Sequence, residues 1–141
     1  LLQLIMLAAA WLLLKSGLIR LYGYKTEQRA LKGLRARLPD VQINVPVSGA
    51  GDIDALYVRG SVCAAIEIKS WRTWQIKNGW NRSTPDNRTK KALGQIKRLA
   101  ERVKANQSIV WLPKATPFSI QYKGAWIIGG NAIYRHLSDL G

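Results

Sequence analysis

The chain has 141 residues, with 22 Lys and Arg against 8 Asp and Glu, for a net charge of +14. That balance points to polyanionic partners, either nucleic acid or an anionic membrane surface. A single Cys excludes an internal disulfide, and a single His, His136, with no metal-spaced partner argues against zinc.

Leu1–Leu14 is apolar but for Gln3, and Lys15, Arg20 and Lys25 follow. A bilayer span needs about 20 apolar residues. Ile19, Leu21 and Tyr22 extend the run if Lys15 snorkels. A secretory signal carries its charges ahead of the apolar stretch, whereas these come after it. Residues 1–22 are expected to be a membrane anchor. Residues 23–141 then form one domain on the cytoplasmic side, where basic flanks stay. A buried or interfacial helix is the other reading. The chain opens on Leu, leaving its start open to truncation.

Thr26 is a candidate N-cap for a helix over Glu27–Leu38, with Leu31, Leu34 and Leu38 on one stripe. Glu27 shares that face. It reads either as an acid favoured by the helix N-terminus or as a site residue. Pro39-Asp40 ends the helix, and Val41–Val47 reads as a strand.

Two β-rich runs, Ile53–Val58 and Val62–Ile68, flank Arg59-Gly60-Ser61. Gly60-Ser61 suits a two-residue turn with Gly at the first central position. That turn pairs Arg59 with Val62 and, further out, Asp54 with Glu67 and Asp52 with Lys69. Alternation then sends all four charged groups to one face. Two carboxylates opposed at roughly 5 Å repel unless a cation or proton lies between them. Oxygen ligands suit a hard ion such as Mg²⁺ or Mn²⁺. Cys63, within the hairpin, reads as a small apolar packing residue.

Ile53-Asp54 followed by Glu67-Ile68-Lys69 resembles the core of the PD-(D/E)xK nuclease superfamily. More narrowly, the chain resembles a nuclease-related (NERD-type) or restriction-endonuclease-like domain over about Thr26 to Leu140. The resemblance implies that Asp54 and Glu67 hold the metal, with the Ile68 carbonyl as a further ligand. Lys69 would orient or deprotonate the attacking water. Glu27 on the first helix and Gln95 on the following one match secondary site positions. The Pro of the superfamily's name is absent, Ile53 standing in its place. Asp52 matches no motif position and would lie behind the metal ligands.

Ser70–Arg88 reads as irregular, although Trp71, Trp74 and Ile76 could open a strand. Trp71, Trp74 and Trp80 lie among Arg72, Lys77, Arg82 and Arg88. Aromatics interleaved with cations suit base stacking and phosphate contact; covering the sheet end is the alternative for the Trp residues. Thr89–Ala105 reads as a helix with Ala92, Ile96, Leu99 and Val103 as its apolar stripe. Lys90 and Lys91 open a cationic face on it that suits a polyanion. Ser108–Leu112 and Ala125–Ile128 are further strands, Pro113–Lys123 connects them, and Asn131–Leu140 is a closing helix.

The order of elements gives an α/β sandwich with a central mixed β-sheet flanked by helices, preceded by an apolar helix. The resemblance makes it restriction-endonuclease-like. The first functional reading is a membrane-anchored, Mg²⁺- or Mn²⁺-dependent endonuclease-like hydrolase acting on DNA rather than RNA. The second is a basic nucleic-acid-binding domain of the same fold without the reaction. The third is a basic protein working on anionic lipid. The acidic hairpin favours the first, because carboxylates repel the ligand in both binding roles.

Overall fold

The computed structural model describes residues 1–78 and 82–140. Its first element, α1, runs unbroken from Leu2 to Arg37. The expected start at Thr26 is absent: Thr26 is a buried residue inside the helix, not its N-cap. The apolar run is rich in Leu and Ala, the segment after it in Leu, Lys and Arg, and neither contains a Pro, so nothing stops the helix between them. Pro39 stops it. The residue before a Pro avoids the helical region, and Leu38 is extended at φ −127° and ψ 91°.

The strands are β1 (Val41–Val47), β2 (Gly51–Arg59), β3 (Val62–Ile68), β4 (Gln75–Asn78), β5 (Arg82–Pro85), β6 (Gln107–Leu112), β7 (Phe118–Tyr122) and β8 (Ala125–Gly129). Helix α2 (Asn87–Arg102) lies between β5 and β6, and α3 (Ala132–Leu140) follows β8. Six strands form one sheet in the order β1-β2-β3-β6-β8-β7, and β4 and β5 form a separate ribbon. The sheet is mixed, with β3–β6 and β6–β8 parallel and the other pairs antiparallel. Helix α2 covers one face, packing Ala92, Ile96 and Leu99 with Val110, Leu112 and Ile127. Helices α1 and α3 cover the other, packing Leu31, Leu34, Ile133 and Leu137 with Ile66 and Ile109. This is the α/β sandwich read from the order of elements.

The hairpin register is the one the turn demands: Arg59 pairs with Val62 and Ala55 with Ile66. Gly60 has φ +58°, which a side chain would disfavour. Two local expectations change. Residues Pro113–Lys123 contain β7, an edge strand whose Phe118, Ile120 and Tyr122 alternate with polar residues. Lys123 and Gly124, both at positive φ, turn it back onto β8. Helix α2 begins before Thr89 because the Thr89 N–H donates to Asp86 Oδ1 at 2.9 Å, making Asp86 its N-cap.

One irregularity positions the site. In β1, Val41 and Ile43 pack on the α1/α3 face, whereas Val45 and Val47 pack on the α2 face. In β2, Ala55 and Tyr57 pack on the α1/α3 face and Ile53 on the α2 face. Strict alternation would keep each odd-numbered set on one side. Both reversals pass through facing residues, Asn44 and Asp54, which are missing from an otherwise continuous ladder. Asn44 has φ +51°, a conformation that Asn tolerates better than most residues. The kink in the paired strands falls at Asp54.

Candidate active site

Asp54 lies where β2 and β3 part. The last ladder pair between them is Ala55 with Ile66. Beyond it the Ile68 N–H donates to the Asp54 carboxylate, with Oδ2 at 2.8 Å. In a strand the N–H and C=O of one residue leave on the same edge, so the Ile68 carbonyl faces that gap too. On the other side, the Lys69 N–H donates to the Trp111 carbonyl at 3.0 Å, holding the end of β3 to β6.

Glu67, in β3, is 7% exposed, and Lys69 Nζ is 3.3 Å from its Oε1. Burial, then repulsion from Asp54, pushes the Glu67 carboxyl up to about 7, against the attraction of Lys69. Burial also raises Asp54, with the Ile68 N–H and Lys69 opposing. Glu27 reaches the same neighbourhood from α1. It is raised by burial and then by Asp54, while Lys69 lowers it. Asp54, Glu67, Lys69 and Glu27 thus feel one another's charge across two strands and a helix.

The acids are oxygen donors opposed closely enough to resist joint ionisation, which a hard divalent cation would relieve. Among the described residues, no three acidic, His or Cys side chains are grouped to hold a metal unaided. The donor set that fits an ion is therefore Asp54, Glu67 and the Ile68 carbonyl, with water and substrate oxygen completing it, as Mg²⁺ ordinarily accepts.

Other predicted residues are placed differently. Asp52 does not face Lys69: it is exposed, pairs with Pro46 of β1, and reaches Asp54 only as a distant repulsion. Gln95 lines a cleft of about 600 Å³ with Gly49, Ala50 and Arg102, whose walls include none of Asp54, Glu67 and Lys69. Trp74 stacks on Phe118 at 5.6 Å and packs against the core, so it covers the sheet. Trp71 also packs there. Lys69 lies over its ring at 5.8 Å and Arg88 at 4.5 Å. Arg88 is further held by Asp86 Oδ2 at 2.9 Å and by the Thr73 carbonyl at 2.9 Å. Arg72, Lys90 and Lys91 are exposed. Lys77 and Arg82 belong to the β4–β5 ribbon, and Trp80 lies outside the described residues. Among the described residues His136 is half-buried, with its ring 4.7 Å from Trp126, rather than a surface residue.

Two features escaped the sequence reading. The Asp86–Arg88 network has a visible signal, an Asp three residues before Thr89 at a helix start. The kink at Asn44 has a weaker one, an Asn between two strand apolar residues.

Comparison with curated proteins gives no match, and comparison with solved structures gives none. The sequence model of the nuclease-related domain (NERD) matches residues 22–129, from the last turns of the exposed helix to the end of β8. That span takes in Glu27, the kinked hairpin and every residue of the acid cluster. The chain belongs to the nuclease-related domain family.

Proposed function

We propose that the chain is a metal-dependent nuclease that hydrolyses phosphodiester bonds of DNA beside a membrane. The observation that carries this is the convergence of Asp54, Glu67 and Lys69 on the gap where β2 and β3 part, with Glu67 buried and both carboxyls destabilised as anions. Burial and like charge raise both carboxyls, a combination that sites with a chemical task often use.

Asp54, Glu67 and the Ile68 carbonyl would hold Mg²⁺ or Mn²⁺. When bound, the ion lowers the pKa of water and polarises the phosphodiester. Asp54 is fixed by the Ile68 N–H, and Glu67 is fixed by burial and Lys69, so the donors are oriented in advance. Lys69 places a cation beside the reacting phosphate, where it orients the attacking water and steadies charge that develops in the transition state. Glu27 is a third acid able to take a proton at the same edge.

The membrane reading rests on α1. The helix holds an 18-residue window of mean hydropathy 1.9, with none of that window buried. Lys15 lies within that window and snorkels towards the domain side, where Arg20 and Lys25 follow, which favours a cytoplasmic domain.

The test is Lys69→Ala, with cleavage of duplex DNA and affinity for it measured in the same Mn²⁺ buffer. Cleavage should fall by about 10²-fold or more, the loss expected for one preorganised electrostatic group. Affinity should barely change, since one cation of 22 is removed. Undiminished cleavage overturns the role of Lys69. Wild-type binding without cleavage would leave a nucleic-acid-binding module of the same fold.

A further inference from the structure

Opposite α2, a cleft of about 330 Å³ opens between α1 and the start of α3. Its α1 side carries Thr26, Arg29 and Arg37, and its far side carries Trp111, Lys114 and Tyr134. Three cations line it and no acid does. Arg29, Arg37 and Lys114 have no ion-pair partner among the described residues. Arg37 rests over the Tyr134 ring at 4.4 Å, which leaves its N–H groups unspent. Three unpaired cations converging on one concavity repel one another unless an anion joins them.

The position of the cleft narrows the choice of anion. Lys114 and Arg72 both lie beside Tyr22, the last residue of the apolar stretch. Gly23 approaches the Ser70 hydroxyl so closely that an added Cβ would lie 3.3 Å from it. The working edge of the domain therefore abuts the point where the exposed apolar helix ends. Leu2–Tyr22 is about 30 Å of helix, the thickness of a bilayer's hydrocarbon core. Thr26, at the near end of the cleft, is one turn beyond Tyr22, or about 6 Å. A headgroup layer is about 5–7 Å deep on each side. The near end of the cleft falls within that layer, while Arg37 lies well outside it.

We propose that this cleft is a binding site for a phosphate group and that its occupant is the headgroup phosphate of an anionic lipid, held by Arg29 and Lys114 with Arg37 behind them. The inference rests on the membrane reading of α1. It is independent of whether the acid cluster cleaves DNA. Juxtamembrane cations gain from an anionic surface without any built site. The cleft adds a one-to-one stoichiometry and a dependence on particular residues.

Native mass spectrometry of the full chain in neutral detergent tests this, with phosphatidylglycerol or phosphatidylcholine titrated in. Wild type should retain one phosphatidylglycerol per chain and no phosphatidylcholine. Arg29→Gln/Lys114→Gln should weaken retention about thirtyfold, each cation near an anionic lipid contributing about fivefold. Arg59→Gln/Lys104→Gln, which removes the same charge at the opposite end of the sheet, should retain lipid as wild type does. Equal losses in the two variants, or none in either, overturn the site. Competition by equimolar inorganic phosphate would mean a free-anion site and would overturn the lipid as occupant. So would a short DNA duplex in EDTA that depends on Arg29 and Lys114 when phosphatidylglycerol does not. Flotation with neutral phosphatidylcholine vesicles after an alkaline wash tests the anchor separately: a chain that fails to float yet retains phosphatidylglycerol loses the anchor and keeps the site.

Discussion

Two clusters of like charge sit side by side where the central strands β3 and β6 end. Trp111 separates them: its carbonyl receives the Lys69 N–H of the acidic site, and its ring lines the basic cleft. The acids are sunk between strands, with Glu67 only 7% exposed, whereas Arg29, Arg37 and Lys114 are exposed. The difference teaches that burial, rather than the number of charges, decides where repulsion is felt. Out of water, the carboxylates cannot shed their repulsion and their proton affinities move. In water, the cations are screened and keep their charge available to a ligand. The acid cluster should therefore reveal itself in stability, and the cationic surface in binding.

The largest expected effect is on the pH dependence of folding. Glu67 titrates at about 7 in the folded chain, against an ordinary value of 4.5. The folded state holds the extra proton between those values, so stability is greatest below the lower one and is lost as pH rises through the upper one. The shift corresponds to roughly 3 kcal/mol. Asp54 and Glu27 are raised as well and add in the same direction. Glu67→Gln removes the Glu67 share. The wild-type minus variant difference, from urea unfolding between about pH 4.5 and about pH 8, should fall by that amount. Parallel curves would show that Glu67 is solvated and would dissolve the contrast between the two clusters.

Much of the acid cluster was legible in the sequence because one strong local rule governed it. Gly60-Ser61 sets the turn, the turn sets the register as far as Ala55 with Ile66, and that brings Asp54 beside the Glu67-Ile68 end of β3, although the two acids are not themselves a ladder pair. The same rule failed for Asp52, since alternation reverses at the Asn44–Asp54 kink and no pattern of apolar residues announces a positive φ. Five of the six sheet strands, α2 and α3 followed from apolar periodicity, whereas β7 was read as a connection. Helix α1 was misread as two segments because a change of composition at residues 15–26 resembled a boundary, although no residue there breaks a helix. The basic cleft was not legible at all. Arg29 and Arg37 belong to α1 and Lys114 to a segment distant in sequence, and only the packing of α1 beside the β6–β7 connection brings them together.

A metal ion should reverse the instability of the acid cluster. Asp54→Asn removes one charge at nearly constant shape, and the Asn side-chain carbonyl can still accept the Ile68 N–H. In EDTA at neutral pH the variant should be at least as stable as wild type. With Mn²⁺ at a hundred times its dissociation constant, wild type should gain about 2.7 kcal/mol and the variant much less. Thermal melts of both proteins in the two buffers decide it. Equal destabilisation by the substitution in both would make Asp54 a structural residue whose hydrogen bond is all it contributes.

The smallest effect separates cations that are spent from cations that are free. Arg88 is held by Asp86, by the Thr73 carbonyl and over Trp71, whereas Lys91 is exposed on α2 with no ion-pair partner among the described residues. A phosphate contact appears as counterion release, and each contributes about 0.9 to the slope of log affinity against log salt. Lys91→Ala should lower that slope by about one contact and leave the melting temperature within the noise of a surface change, about 0.5 kcal/mol. Arg88→Ala should do the opposite. It removes a partly exposed ion pair and a stacked guanidinium, together worth about 1 kcal/mol, and leaves the salt slope unchanged. Titrating one random duplex at several salt concentrations in EDTA, alongside melts of each variant, reads both quantities. If Arg88→Ala lowers the slope as Lys91→Ala does, the Asp86 pairing breaks when DNA arrives, and a cation's partner in the free protein no longer tells whether it binds phosphate.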